Sequence, residues 1–158
     1  MALALFCFAL DSARAQLKPG DVFPSLASAS LVGTVPETAG HVTIVDFWAS
    51  WCAPCKASFP AYGKIQADFA ARGLVVVAVS VDEKASEYEK FLKKFHPPFV
   101  TLLDEKKQLV SVVRVPSMPT SYLLDREGHV RFVHVGFHGA ATEQEIRSQI
   151  ETLLAETK

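Results

Sequence analysis

Cysteine is scarce in this chain: Cys7, Cys52 and Cys55 are the only three among 158 residues. A structural zinc site takes four ligands. Cys52 and Cys55 supply two, and His41, His96, His129, His134 and His138 show no ligand spacing that completes the set. Zinc is therefore disfavoured, and no metal is expected. A small scaffold built on disulfides needs several cysteine pairs and is disfavoured too. Charge of one sign is also lacking: 16 Lys and Arg stand against 17 Asp and Glu, for a formal net charge of -1. Nothing in that balance draws nucleic acid or an anionic membrane. No apolar run reaches the roughly 20 residues that cross a bilayer. There is no internal repeat and no low-complexity segment. Apolar residues make up 49%, which excludes disorder and allows one domain with a sizeable core.

What is present is concentrated in Trp51-Cys52-Ala53-Pro54-Cys55. An apolar run, Val42-Thr43-Ile44-Val45-Asp46-Phe47-Trp48, precedes it and predicts a buried strand. With a helix from Ala53 onward, Cys52 lies at the helix N-terminus. Unpaired N–H groups and the helix dipole there favour a thiolate. Cys55, one turn on, is close enough to bond to Cys52. A purely structural disulfide across so short a loop constrains the unfolded chain little. The pair therefore predicts dithiol exchange, with Cys52 as the exposed nucleophile and Cys55 buried behind it. Trp48 is expected in the core. Trp51 is expected as a partly exposed lip, and Lys56 as a solvated charge.

Residues 2–10 are uncharged and apolar, and Ala13-Arg14-Ala15 has the small-x-small pattern of a cleavage site. Residues 1–15 are therefore expected to be a signal peptide, although no basic residue precedes its apolar run. Residues 16–158 are then the working domain, which keeps only Cys52 and Cys55. Leu17 to Gly40, punctuated by Pro19-Gly20, Gly33, Pro36 and Gly40, predicts a loose hairpin. Strands are predicted at 41–48, 74–81, 120–124 and 130–135, with a short extended piece at 99–103. Helices are predicted at 53–71, 84–95 and 105–113, the first kinked at Pro60 and stopped at Gly73. A last helix opens at Thr142, with Glu145 at capping-box spacing. The order predicts a mixed α/β sheet with helices on both faces.

This order, together with Val45 through Lys56, resembles the thioredoxin superfamily. The N-terminal hairpin, the inserted helix at 84–95 and the export signal are similar to the TlpA/ResA branch of exported thiol–disulfide oxidoreductases. The resemblance implies a thioredoxin-like mixed central sheet flanked by helices. It also implies a cis bond at Met118–Pro119, in a loop facing the cysteines. Asp46, six residues before Cys52, matches the buried acid of the superfamily. An acid on a core-facing strand position has a raised pKa and can take the proton from Cys55. The resemblance thus implies Cys52, Cys55, Asp46 and Pro119 as catalytic, with Trp51, Ala53, Pro54, Met118 and Thr120 against substrate. ResA-like proteins carry a glutamate where this chain has Ser58. Cytochrome c maturation members carry an acid after the proline and a Gly-Val-x-Gly lead-in, and Val115 through Ser121 has neither. Dedicated apocytochrome reduction is accordingly disfavoured.

The predicted function is reduction of protein disulfides in a periplasmic or other extracytoplasmic compartment, without a cofactor. Ala53-Pro54 offers no group that stabilises the Cys52 thiolate, as a histidine would. The expected potential is therefore nearer the roughly -270 mV of thioredoxin than the roughly -120 mV of DsbA. Family analogy implies a membrane electron donor of DsbD or CcdA type, and the protein is expected to be a monomer, tethered if its leader is uncut. Two rivals are weighed against this. A thiol peroxidase of the peroxiredoxin kind carries threonine three residues before its cysteine, where this chain has Ala49. A copper-handling module similar to Sco proteins spaces its cysteines by three residues, rather than two, and uses a distant histidine such as His134 or His138.

Overall fold

The structure is a computed structural model and describes residues 15–156. The expected leader, residues 1–15, therefore lies almost wholly outside the described residues. Five strands form one sheet: β1 (Val42–Trp48), β2 (Leu74–Ser80), β3 (Val100–Leu103), β4 (Thr120–Leu124) and β5 (Val130–Val135). The spatial order is β3-β2-β1-β4-β5. β1 pairs in parallel with β2, and β2 with β3, whereas β4 runs antiparallel to both β1 and β5. The mixed sheet is as expected. β1 is central and buried along its whole length, because both faces are covered.

Alternation along β1 sends Ile44 and Trp48 to one face and Val45 and Phe47 to the other. The first face is covered by α1 (Ala53–Phe69), α2 (Ala85–Phe95) and α4 (Ala140–Ala155). α3 (Gln108–Val113) packs on the second face through Leu109 and Val113, beside Phe23 and Leu26. α1 continues past Pro60, which has no N–H to offer the preceding turn, and ends through a short 3-10 turn at Gly73.

Three expectations require correction. Leu17 to Gly40 does not fold back on itself. Its Val22 bridges His129, next to β5, and its Val32 bridges Leu103 of β3. Those are the two edges of the sheet, so the segment crosses the second face as a strap. Its glycines and prolines prevent continuous self-pairing, whereas the sheet edges offer unpaired donors and acceptors. The last helix starts at Ala140, not Thr142. Gly139 is its N-cap, and Thr142 Oγ1 instead accepts from His138 N at 3.0 Å. α3 starts three residues late because the Asp104 carboxylate accepts from Gln108 N and Val110 N, at 2.9 and 2.8 Å, and so fixes the first turn.

Candidate active site

β1 ends at Trp48, and four residues later the chain enters α1. Cys52 is the N-cap, extended at φ -82° and ψ 110°, and its sulfur accepts from Cys55 N at 3.3 Å. Pro54 sits in the first turn, where its missing N–H leaves no intrahelical bond unmade. Cys52 and Cys55 are joined by a disulfide with Cα atoms 5.3 Å apart. Cys55 has no exposure and Cys52 only 5%. The exposed nucleophile that was expected is therefore nearly covered in the oxidised state, although it remains the more accessible of the two. Trp51, 68% exposed, is the large apolar group that stands out beside it.

The disulfide rests in an aromatic bed. Trp48, Phe59, Tyr88 and Phe91 cluster with Ala49, Cys52 and Cys55, and the Trp48 ring centroid lies 4.7 Å from that of Phe59 and 4.5 Å from that of Phe91. Trp48 is fully buried, as predicted. Met118, in the loop before β4, packs against the cluster that contains the cysteines. The Met118–Pro119 bond is cis. Pro119 and Thr120 are buried, whereas Ala53 and Pro54 are exposed. The Pro119 carbonyl accepts from Gly136 N at 2.8 Å, and Thr120 Oγ1 donates to the Ser117 carbonyl at 2.7 Å.

Behind the disulfide, Cys55, Ser58 and Tyr62 form a buried stripe along α1, facing β1. Ser58 carries no acid. Its hydroxyl donates to the Cys55 carbonyl at 2.9 Å. Asp46 on β1 is fully buried. Tyr62 OH lies 3.3 Å from Asp46 Oδ1 and 2.9 Å from Ser121 Oγ. Asp46 Oδ2 has no hydrogen-bond partner among the described residues. Burial pushes the Asp46 carboxyl well above the usual carboxylate range, and the Tyr62 hydrogen bond opposes this only in part. Burial, and then the nearby Asp46 charge, likewise push the Tyr62 phenol up.

A second buried acid, Asp82, was missed by the sequence reading. It accepts from Ser50 N at 3.0 and 3.1 Å, from Ser50 Oγ at 2.8 Å and from Ser80 Oγ at 2.8 Å. It thereby holds the loop between Trp48 and Cys52 to the end of β2. Lys107 Nζ, donating to the Asp82 and Asp104 carbonyls at 2.7 and 2.9 Å, closes the same corner. His134, one of the histidines weighed for copper, lies on β5 and pairs with Gln149 Oε1 at 2.7 Å.

A mixed five-stranded sheet with a Cys-x-x-Cys disulfide capping the helix after its central strand defines a thioredoxin-like thiol–disulfide oxidoreductase. Within that class the chain belongs to the Redoxin family, whose profile matches residues 18–150. The thiol-disulfide oxidoreductase ResA of Geobacillus thermodenitrificans is 26% identical over 137 residues, which span 85% of this chain and 77% of that protein. The thioredoxin-like protein YneN of Bacillus subtilis is 30% identical over 141 residues, 85% of this chain and 80% of YneN. Among solved structures, a candidate thiol:disulfide interchange protein DsbE from Chlorobium tepidum superposes with a TM-score of 0.78 at 36% identity. That match covers 89% of this chain and all of the other.

Proposed function

We propose that the protein reduces disulfides of extended protein segments outside the cytoplasm, with Cys52 as nucleophile, Cys55 as resolving thiol and Asp46 as proton acceptor. The observation that carries this reading is the placement of Cys52 as N-cap of α1, with Cys55 fully buried one turn in. On reduction, the helix N-terminus stabilises a Cys52 thiolate. That thiolate attacks one sulfur of a substrate disulfide and expels the other as a substrate thiolate. Cys55, deprotonated, then attacks Cys52 Sγ, re-forming the internal disulfide and expelling the second substrate thiolate. Two electrons pass to the substrate, and the Cys55 proton passes to Asp46.

Asp46 suits that task by elimination. Among the described residues the buried carboxylates are Asp46, Asp82 and Asp104. The latter two are held by several backbone and hydroxyl donors, whereas Asp46 lies on the strand beneath α1 with one oxygen unpaired. A carboxyl raised by burial is a better match to a thiol than an ordinary aspartate is.

Trp51, Ala53 and Pro54 offer an exposed rim, and Met118 closes it from the opposite loop. With the Pro119 carbonyl taken by Gly136, the main-chain groups left for an extended partner are those of Met118, with Pro119 and Thr120 holding them in place. Main-chain pairing of this kind gives affinity with little sequence preference. Ala53-Pro54 supplies no further stabiliser of the thiolate, which favours a reducing potential. A reductant outside the cytoplasm needs recharging, which calls for a membrane electron donor of DsbD or CcdA type. The leader at 1–15 would deliver residues 16–158 there as a monomer, tethered if the leader is uncut. No helix among the described residues is long and apolar enough to cross a membrane.

The test is a trap. Cys55→Ala should accumulate a mixed disulfide between Cys52 and its substrate, while Cys52→Ala should capture nothing. Equilibration with glutathione buffers should give a potential nearer -270 than -120 mV, the approximate thioredoxin and DsbA values. Capture through Cys55, or a DsbA-like potential, would overturn the assigned roles or direction.

A further inference from the structure

Tyr62 has one hydroxyl proton and two neighbours that can accept it, Asp46 Oδ1 at 3.3 Å and Ser121 Oγ at 2.9 Å. All three residues are buried. Asp46 and Ser121 are Cα partners across β1 and β4, and Tyr62 reaches over both from α1. We propose that Tyr62 is a positioning residue for Asp46, turning its hydroxyl proton toward Ser121 while Asp46 is protonated and toward Asp46 when it is ionised. In the ionised state Ser121 donates to Tyr62 and Tyr62 donates to the carboxylate. In the neutral state Asp46 keeps its own proton and Tyr62 donates to Ser121. No proton leaves the trio when the hydroxyls turn. The proton that Asp46 gains or loses is exchanged on the cysteine side.

The surroundings leave this pair of hydroxyls in control. β2 places Ala78 beside Asp46, and α1 contributes Tyr62. No Lys or Arg pairs with Asp46 among the described residues. The rings of Phe99 and Phe137 flank Tyr62, with centroids 6.5 and 6.4 Å away. β5 and α4 carry further titratable groups. His134 is the cross-strand partner of Ser121, with Nε2 on Gln149 and Nδ1 4.0 Å from Glu145. A hydrogen bond to a charged group is worth more than one between neutral groups. Tyr62 therefore stabilises ionised Asp46, and Ser121, by donating to Tyr62 in that state, reinforces the support.

The inference deepens the proposed proton-acceptor role of Asp46 and rests on it only for its kinetic consequence. The variants Tyr62→Phe and Ser121→Ala have the same expected sign and different sizes. Carbon-13 NMR of the Asp46 carboxyl in the reduced protein reads the titration directly. Tyr62→Phe should move its midpoint up, and Ser121→Ala should move it up by less, because Tyr62 still donates to the carboxylate. Resolution of the mixed disulfide at neutral pH should slow about tenfold in Tyr62→Phe, the factor that one lost hydrogen bond to a charged group implies. A merely structural loosening would admit water and move both midpoints down. Downward shifts, or midpoints equal to that of the parent, overturn the proposal. Upward NMR shifts with unchanged resolution rates uphold the hydroxyl switch and instead remove Asp46 as proton acceptor. If Tyr62→Phe does not fold, the direction of the Ser121→Ala midpoint decides alone: up upholds the switch, while no change or a fall overturns it.

Discussion

Asp82 shows how much of a reactive loop can hang on one side chain. Its two oxygens take the Ser50 N–H, the Ser50 hydroxyl and the Ser80 hydroxyl, and Ser50 stands two residues before Cys52. Removing the acceptor leaves the buried Ser80 hydroxyl and the half-buried Ser50 donors unpaired, which costs more than the bonds themselves contribute. Asp82→Ala should lower stability by about 2–4 kcal/mol. Asp82→Asn, which retains one acceptor oxygen, should lose roughly half as much. Urea unfolding should show this as a lower midpoint at unchanged slope. An Asp82→Ala variant as stable as the parent would mean that solvent replaces the carboxylate. This residue was not legible in the sequence, because its principal partner is 32 positions away and Ser-Val-Asp at a strand end resembles ordinary turn chemistry. Asp46 was legible for the opposite reason: an acid at a core-facing position inside an apolar strand breaks its own pattern, and that break is local.

At the scale of elements, periodicity identified the strands and helices, and most of the misreadings fell where a tertiary partner overrides a local signal. Thr142 and Glu145 have capping-box spacing, yet Thr142 binds His138 N from inside the helix. The strap from Leu17 to Gly40 read as a hairpin because turn residues separate two short apolar runs. Its partners are the sheet edges, which nothing in those 24 residues announces. Two glycines test the element boundaries. Gly73 stops α1 at φ +97°, and a Cβ there would meet only His41 Nδ1 at 3.9 Å. Gly73→Ala should therefore cost the backbone penalty alone, about 1–2 kcal/mol. Gly33, where the strap meets β3, has φ +118°, and a Cβ would lie 2.9 Å from Leu102 Cδ2 and 3.3 Å from the Thr101 carbonyl oxygen. Gly33→Ala adds overpacking to the same strain and should cost about 2–4 kcal/mol. Thermal unfolding of the two variants checks the order. Equal losses would mean that the strap lifts off β3 without cost.

For the molecule as a whole, the buried acid couples stability to pH. Burial raises the Asp46 carboxyl in the folded protein, whereas the unfolded chain titrates near the ordinary aspartate value of about 3.9. Between those two values the folded state binds more protons than the unfolded state, so stability falls as pH rises. The contribution of neutral Asp46 is fully present below the unfolded value and is lost as pH passes through the folded one. Arg-paired Glu151 and Glu156, both held below the usual range by their hydrogen bonds to Arg72 and Arg131, work in the opposite sense at acid pH. They are surface pairs, however, and salt screens them. Asp46→Asn isolates the buried term. The variant should match its parent near pH 4 and gain on it as pH rises. The gain should level off above the folded pKa on the order of 1–3 kcal/mol, the cost of an inadequately paired buried group. Urea unfolding of the oxidised protein from about pH 4 to pH 9, in high salt, measures that difference without contribution from thiol titration. A difference that stays flat across the range would show that Asp46 titrates in the folded state as it does in the unfolded chain. The carboxylate would then have to be as well solvated there as in the unfolded chain, and it would be no better matched to a cysteine proton than any surface acid.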